Sequence, residues 1–539
     1  MHTINDLRPS TEPLTLKDIA NGFDIWEARW LDPSGRQRCA SDIEELGAVV
    51  EVASLPVSGV TMSNWDIEEG WAFVGVPGDR RHGAVFAKDA KDRGAHLLVT
   101  DDEGAVLAAD VGLPVLVVEN PRKAAGVIAS QLHASDIDDL TLVGVTGTNG
   151  KTTTTYLLRA ALAPICEPMG VLGTLEVDTG DRKITAERTT HESPVVYRTL
   201  AQGAQAGMEG MVVEVSSHAL SLNRVQNVLF DLAVFTNLQH DHLDFYENSM
   251  DLYFRAKAEL FSPEHAKAGV VGVDDKYGRE LARNAQIPVA AVQVATDDAP
   301  DVGDAPLWKV SDARADAKAF GTRFTLRAPS GETWEAFCPI PGSVNVQNAA
   351  LSIVGARVLG ASVEDAIEAV SVAPSIPGRM QTVPKRSPHQ PKVVVDYAHT
   401  PEAIEQLLLD FRELTAGNLI AVFGTDGDRD ATKRKPLARI TAELADVLWV
   451  TDENPRTEDA ASIRAQLLEG VREARPDMEN VFEVATSRRD AIREAILAAE
   501  PEDTILIFGK GAEPYQEIRG VKHRHLDVEV VEDVFDSTK

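Results

Sequence analysis

Lys151 and Thr152 stand directly after two spaced glycines in Val143-Gly-Val-Thr-Gly-Thr-Asn-Gly-Lys-Thr-Thr-Thr-Thr155, a run suited to holding phosphate. Gly147 and Gly150 let the backbone N–H groups of Thr148, Asn149 and their neighbours close around an anion. The helical run that follows adds its positive end, Lys151 can reach terminal phosphates, and the hydroxyl of Thr152, with Thr153 next to it, can ligate Mg²⁺. A strict P-loop places glycine where Val145 stands, so this is a shortened form, Gly147-x-x-Gly150-Lys151-Thr152. The bland alternative is a chance Gly-Lys-Thr in a surface loop. An apolar run before it and a helical run after it argue against that. Glu214, inside the apolar run Gly210-Met-Val-Val-Glu-Val215, is placed to be a second oxygen hold on Mg²⁺. Its alternative is a structural pair, with Ser216 or Ser217 capping a helix. Thr236-Asn-Leu-Gln-His-Asp-His-Leu-Asp244 brings His240, Asp241, His242 and Asp244 together as metal ligands, caps or solvated polar residues. Lys257, in the apolar helical run Tyr253–Phe261, could be buried beside that cluster; read alone, it is a snorkelling surface lysine.

These residues need strands to deliver them. Short β-rich runs at Trp71–Val76, Ala95–Thr100 and Pro114–Val118 alternate with helical stretches and predict a small α/β domain over 1–135. Runs starting at Leu140 and at Gly210–Val215, Phe230–Phe235 and Gly269–Val273 predict a doubly wound, P-loop-type ATP-binding domain over 136–376. Lys392–Asp396, Leu419–Phe423, Asp446–Val450, Val481–Val484 and Thr504–Phe508 predict a Rossmann-like domain over 377–539, with ligands at the strand C-termini. A chain of 539 residues with 44% apolar residues can fill three cores. Its formal charge of −31 excludes a nucleic-acid binder, which needs a basic face. Cys39, Cys166 and Cys338 are too far apart for zinc or redox motifs and read as buried small hydrophobes in a reducing compartment. Neither a leader nor a run of about eighteen apolar residues is present, so the expected location is the cytoplasm, without membrane insertion.

Taken in order, Thr146–Thr153, Glu214-Val-Ser-Ser-His218, Asn237-Leu-x-x-Asp-His-Leu-Asp244, Ala256-Lys257, Gly378-Arg-Met380 and Asp396-Tyr-Ala-His-Thr-Pro401 resemble the Mur ligases over nearly the whole chain. Within them the similarity is greatest to the UDP-N-acetylmuramoyl-tripeptide synthetases. The resemblance implies cytoplasmic peptidoglycan-precursor synthesis by a monomer. ATP and Mg²⁺ would activate the γ-carboxylate of D-Glu in UDP-MurNAc-L-Ala-D-Glu as an acyl phosphate, and the amine of a diamino acid would displace phosphate. It implies that the three domains bind the UDP-sugar, ATP and the acceptor in turn. It also implies that Lys257 is carbamylated and holds a second Mg²⁺ with His242, while Thr152 and Glu214 serve the first. Asn345, Arg379 and His399 then match nucleotide contacts, with Asp396 ordering their loop. Thr189, Thr190, Ser216 and Arg224 match positions that hold the muramoyl-dipeptide, and Ser63 matches a uridine-side turn. His191 stands where the family often has proline and Leu222 where it often has glutamine; Met62 and Asn64 also depart. No nucleophilic triad is needed, so His218 beside Ser217 is not read as one.

For the acceptor, Arg429, Glu453, Asn454, Pro455, Arg456, Gly509 and Glu513 fall at strand ends of the third domain. Family members that add meso-diaminopimelate carry Asp-Asn-Pro-Arg, whose arginine meets the distal carboxylate. Here Arg456 is kept, while Glu453 replaces the aspartate and Ala512 replaces a usual histidine. L-Lysine or L-ornithine would leave Arg456 without an anion, costing about 1–3 kcal/mol for an unmet buried donor. That favours diaminopimelate, with lysine or ornithine as the alternative. A folylpolyglutamate synthetase shares the short loop but lacks the extra N-terminal domain. A non-catalytic nucleotide-binding scaffold would have no use for Lys151, Thr152, Glu214, His242 and Lys257 together.

Overall fold

The computed structural model describes every residue except 1–2, 23–26, 32–36, 41–49, 79, 242, 295–299 and 539. Its α/β elements fall into two compact units, Met1–Trp308 with Leu351–Ala366, and Lys309–Ala350 with Ile367–Lys539.

The first unit holds a short antiparallel pair, Leu14–Thr15 with Pro56–Val57, and two large sheets. In one, parallel strands Gly59–Thr61, Trp71–Val74, Leu97–Thr100 and Val115–Val117 lie side by side, and the antiparallel strands Glu27–Leu31 and Gln37–Ala40 extend it. All four residues of Leu97–Thr100 are buried, as a parallel strand covered on both faces requires. In the other sheet the order is Lys183–Thr185, Glu176–Asp178, Met169–Leu172, Gly210–Glu214, Thr141–Thr146, Leu232–Phe235, Gly269–Gly272, Val289–Val294. From Met169–Leu172 onward every described pairing is parallel. Thr141–Thr146 enters mid-sheet with Gly210–Glu214 on one side and Leu232–Phe235 on the other. Their C-terminal loops therefore converge in the crevice where doubly wound sheets bind ligands. A buried ion pair joins the two sheets' layers: Arg198, on helix Ser193–Gln205, donates to Asp66 Oδ2 at 2.7 Å, and Arg8 donates to Asp66 Oδ1 at 2.7 Å.

The second unit carries antiparallel strands Gly321–Arg327 and Thr333–Cys338 beside Leu307–Asp316, and a six-stranded Rossmann-like sheet. The order there is Gln381–Val383, Lys392–Asp396, Thr504–Phe508, Leu419–Phe423, Val447–Val450, Val481–Glu483, parallel except for the first strand. All five strands expected there form. Gln381–Val383 and the hairpin of Tyr515–Ile518 with Val521–Arg524 are additions, too short or too polar to read as apolar runs. One expectation is corrected: Cys166 and Cys338 are buried, but Cys39 is exposed, on the sheet-edge strand Gln37–Ala40. Among the described residues no helix is long and apolar enough to cross a membrane.

Candidate functional site

Gly147 (φ 145°) and Gly150 (φ 85°) make the turn between strand Thr141–Thr146 and helix Lys151–Leu162. At Gly147 a Cβ would come within 1.9 Å of Thr236 Oγ1, so no side chain fits. The loop is tied to the end of the neighbouring strand. Thr148 N donates to Asn237 O at 2.9 Å, Asn149 N to Asn237 Oδ1 at 3.0 Å, and Thr236 Oγ1 to Asn149 O at 2.6 Å. Thr148 Oγ1 also meets Tyr253 Oη at 3.1 Å. A cradle held this way is set before any anion arrives. Lys151 Nζ lies over it, donating to Gly147 O at 3.0 Å and Thr148 O at 2.9 Å. Thr152 and Thr153 are buried in the helix's first turn.

Lys257, on helix Met250–Ala258, is only 2% exposed, and its Nζ donates to the same Gly147 oxygen at 2.8 Å. The snorkelling alternative is thereby excluded. Burial, and next the charge of Lys151, push the amine well below the usual lysine range, while Asp241 opposes them. His240, Asp241 and Asp244 are exposed, and His242 lies outside the described residues.

Glu214 pairs in register with Val145, so its carboxylate sits one strand from the cradle. It is 1% exposed; Thr174 N donates to Oε1 and Thr174 Oγ1 to Oε2, each at 2.9 Å. Among the described residues it forms no ion pair. A buried carboxylate without a cation of the chain suits a hard metal ion. Ser216 accepts from Ala219 N at 3.2 Å, so it does cap helix Ser217–Ser221.

The muramoyl-dipeptide candidates gather beside Glu214. Thr190 Oγ1 donates to Glu214 O at 2.7 Å and accepts from Ser216 N at 3.1 Å, and Thr174 Oγ1, its proton given to Glu214, accepts from Thr189 Oγ1 at 3.1 Å. Arg224 donates to Thr190 O at 3.2 Å and to Glu192 Oε1 at 3.0 Å; Arg122 and Arg188 pair with Glu192 as well. His191 is buried, and burial pushes its pKa down to about 4, so the ring is neutral. Ser63 is apart from this group, at the end of the first sheet's Gly59–Thr61 strand, where its N–H donates to Thr61 Oγ1 at 3.1 Å.

The remaining candidates belong to the second unit. The Arg379 guanidinium stacks 4.4 Å over the Tyr397 ring, and His399 Nδ1 lies 2.9 Å from Tyr397 O. Asp396 orders that loop by accepting from Met380 N at 2.7 Å and Ala398 N at 2.8 Å. Asn345 turns its amide to Pro341 O at 2.7 Å. In the acceptor group, Asn454 is central: Nδ2 donates to Glu513 Oε2 at 3.0 Å, and Oδ1 accepts from Lys510 Nζ at 3.0 Å and Glu517 N at 3.1 Å. Glu453 is buried against Gly509 (φ 111°), where a Cβ would lie 2.3 Å from Glu453 Oε2. Burial and then the Asp426 charge push the Glu453 carboxyl up to about 8. Arg456 Nη2 donates to Asp426 Oδ2 at 3.0 Å. The expectation that Arg456 lacks an anion unless the acceptor supplies one is therefore corrected, because the chain provides its own. Arg429 is exposed and has no place in this network. Thr174, Asn237, Tyr253, Asp426 and Lys510 were not among the sequence candidates. Asn237 and Tyr253 stood inside quoted runs without a role of their own, Asp426 and Lys510 stood beside Arg429 and Gly509 in strand-end loops, and Thr174 had no signal.

The family model described as "Mur ligase middle domain" matches residues 145–356, and "Mur ligase, glutamate ligase domain" matches 378–511. The chain belongs to the Mur ligases. This Mur ligase is 39% identical over 499 residues to a protein of Streptomyces coelicolor named UDP-N-acetylmuramoyl-L-alanyl-D-glutamate–2,6-diaminopimelate ligase, covering 92% of this chain and 96% of the relative. It is 40% identical over 475 residues, 87% of this chain and 90% of the relative, to a UDP-N-acetylmuramyl-tripeptide synthetase of Leifsonia xyli. A solved structure of a UDP-N-acetylmuramoyl-L-alanyl-D-glutamate–2,6-diaminopimelate ligase superposes with TM-score 0.66 at 27% identity, over 90% of this chain and 96% of the other. The Mur ligase is thus an α/β ligase of three-domain architecture.

Proposed function

We propose that this ligase uses ATP to join meso-diaminopimelate to the D-Glu γ-carboxylate of UDP-MurNAc-L-Ala-D-Glu, a step of peptidoglycan-precursor synthesis in the cytoplasm. The observation that carries the reading is the kinship with ligases named for this reaction, over nearly the full length of both chains, with the cradle, Glu214 and Lys257 intact. Residues 1–135 would bind the UDP-sugar, 136–376 ATP, and 377–539 the acceptor. The carboxylate oxygen of D-Glu attacks the γ-phosphorus and ADP leaves. The acceptor amine then attacks the acyl carbon, giving up a proton as phosphate departs. Because Thr148 N and Asn149 N already donate to Asn237, Lys151 and the N–H groups at the start of helix Lys151–Leu162 would hold the transferring phosphoryl group, where positioning and charge supply most of the catalysis. Thr190 and Arg224 would orient the dipeptide.

Mg²⁺, when bound, neutralises phosphate charge, and Thr152 and the unpaired Glu214 carboxylate fit its preference for oxygen. Lys257 as an ammonium does not fit. Its lowered pKa leaves the neutral amine that carbon dioxide requires, and the resulting carbamate would be an oxygen donor; His242 is proposed beside it. Asn345, Arg379 and His399 would contact the nucleoside, and Glu453, Asn454, Arg456, Gly509 and Glu513 the acceptor.

A second reading keeps the reaction and changes the acceptor to L-lysine or L-ornithine. The Arg456–Asp426 pair favours it, because Arg456 needs no distal carboxylate to be neutralised. The test is to incubate the protein with ATP, Mg²⁺ and UDP-MurNAc-L-Ala-D-Glu, offer each diamino acid separately, and measure ADP and product mass. Product with diaminopimelate is expected. Absence of ADP with every acceptor overturns the ligase reading, and product with lysine or ornithine alone replaces the acceptor.

A further inference from the structure

We infer that Asp426 is a specificity-determining residue of the acceptor pocket, a resident counter-ion that a distal carboxylate must displace from Arg456. The inference rests on the acceptor site proposed above and concerns how that site ranks its diamino acids.

Asp426 follows strand Leu419–Phe423 and Arg456 follows Val447–Val450; these strands are parallel neighbours, so both loops open at the same sheet edge. The backbone fixes Arg456 without help from a ligand. Its φ is 53°, its N–H donates to Glu517 O at 2.9 Å, and it bridges to Ile518 of the following hairpin. Among the described residues the guanidinium makes one side-chain hydrogen bond, Nη2 to Asp426 Oδ2 at 3.0 Å, and a longer ion pair, Nη1 to Glu517 Oε2 at 3.9 Å. Arg456 Nε and Asp426 Oδ1 are both buried and without partners. A fork-to-fork carboxylate pair would satisfy both kinds of atom. This pair is single-stranded and leaves a donor free, which is the geometry of a counter-ion that can be exchanged.

The surrounding charges set the direction of the effect. Lys510 is spent on Asn454, Glu513 and Tyr515 O, so it offers nothing to a second anion. Glu453, pushed up to about 8, is mainly protonated at neutral pH, and Lys510 offsets Glu513, so Asp426 and Glu517 together exceed Arg456, the cation they face, by one charge. A distal ammonium enters this surplus of acid favourably. A distal carboxylate enters it against Asp426, and gains Arg456 only by taking Asp426's place. Asp426 thus narrows the preference for a diamino acid with a carboxylate at its far end and admits one without it.

Kinetics of the full chain test this, with meso-diaminopimelate and L-lysine each compared for wild type, Asp426→Asn, Asp426→Ser and the double variant Asp426→Asn/Arg456→Gln. Asp426→Asn is expected to raise the ratio of kcat/KM for diaminopimelate over lysine by roughly ten-fold, the scale of one charge-assisted contact, with the change carried by KM. Asp426→Ser is expected to do the same, and the double variant to lose the gain. Two ratios unchanged or lowered in both single variants overturn the inference, as does a gain that persists without Arg456. A wild type that turns over neither amino acid sinks the ligase reading and this inference together, whereas turnover with unmoved selectivity sinks this inference alone.

Discussion

Gly147's carbonyl oxygen accepts from two lysines at once, Lys151 at 3.0 Å and Lys257 at 2.8 Å. Two ammonium groups sharing one oxygen repel, and the buried one yields its proton first. Lys257→Ala is accordingly expected to lower the ATP-dependent ligation rate at least about 100-fold, as loss of a metal-site anion does, and acetate or formate should restore part of it. Steady-state ADP release with and without the added carboxylate checks this; full activity of the variant would remove Lys257 from the mechanism. At this scale the sequence was legible where chemistry is local. Gly147 to Thr152 are contiguous, and their roles follow from residue type. Lys257's burial was not legible, because a lysine in an amphipathic helix reads as a surface residue until the aromatic neighbours are known. Thr174's hold on Glu214 and Asp426's on Arg456 span 40 and 30 residues, so strand order alone reveals them.

Parallel strands declare themselves because both faces are covered and the run is apolar throughout; all of those expected formed. Antiparallel margins such as Leu307–Asp316, buried near one end and mostly exposed along the rest, have no such run and escaped notice. Helix Asp527–Ser537 shows what a single buried charge does for an element. Asp527 starts the helix fully buried, held by Arg488 through two contacts of 2.8 Å and by His525 at 2.8 Å. Burial alone would raise its pKa, but Arg488 and His525 more than reverse that and hold the carboxyl far below its usual range. Its folded pKa being depressed, the pair's stabilisation is present above the unfolded value near 3.8 and is lost as pH falls below it. Asp527→Asn should therefore cost about 3–5 kcal/mol at neutral pH by stranding Arg488, and the difference from wild type in urea denaturation should shrink on acidification. An undiminished difference at acid pH would show that shape and not charge matters there.

Across the first unit, Asp66 pins the N-terminal sheet to helix Ser193–Gln205, with the Arg8 and Arg198 guanidiniums 4.9 and 5.1 Å from the centroid of the Trp71 ring. That helix begins right after Thr189 and Thr190, so the pin also aligns the dipeptide group. Asp66→Ala leaves the almost wholly buried Arg198 without its carboxylate, while Arg8 keeps Glu68, and is expected to lower the melting temperature and raise KM for the UDP-sugar together. Adding Arg198→Met should recover part of the stability, since an apolar side chain carries no stranded charge. A thermal melt and substrate kinetics of both variants check it, and a stable Asp66→Ala protein would refute the pin. The domain pattern was legible from alternating runs, whereas this junction was not, since Asp66 and Arg198 stand 132 positions apart with no sequence pattern to link them. The strand order of the central sheet bears on descent as well. The cradle's three loops leave adjacent strands laid down within residues 141–235, while Glu176–Thr185 and Val289–Val294 lie toward the margins. Lineages of this protein can lengthen, trim or replace those margins without displacing one atom that faces phosphate, so variation in chain length should collect there.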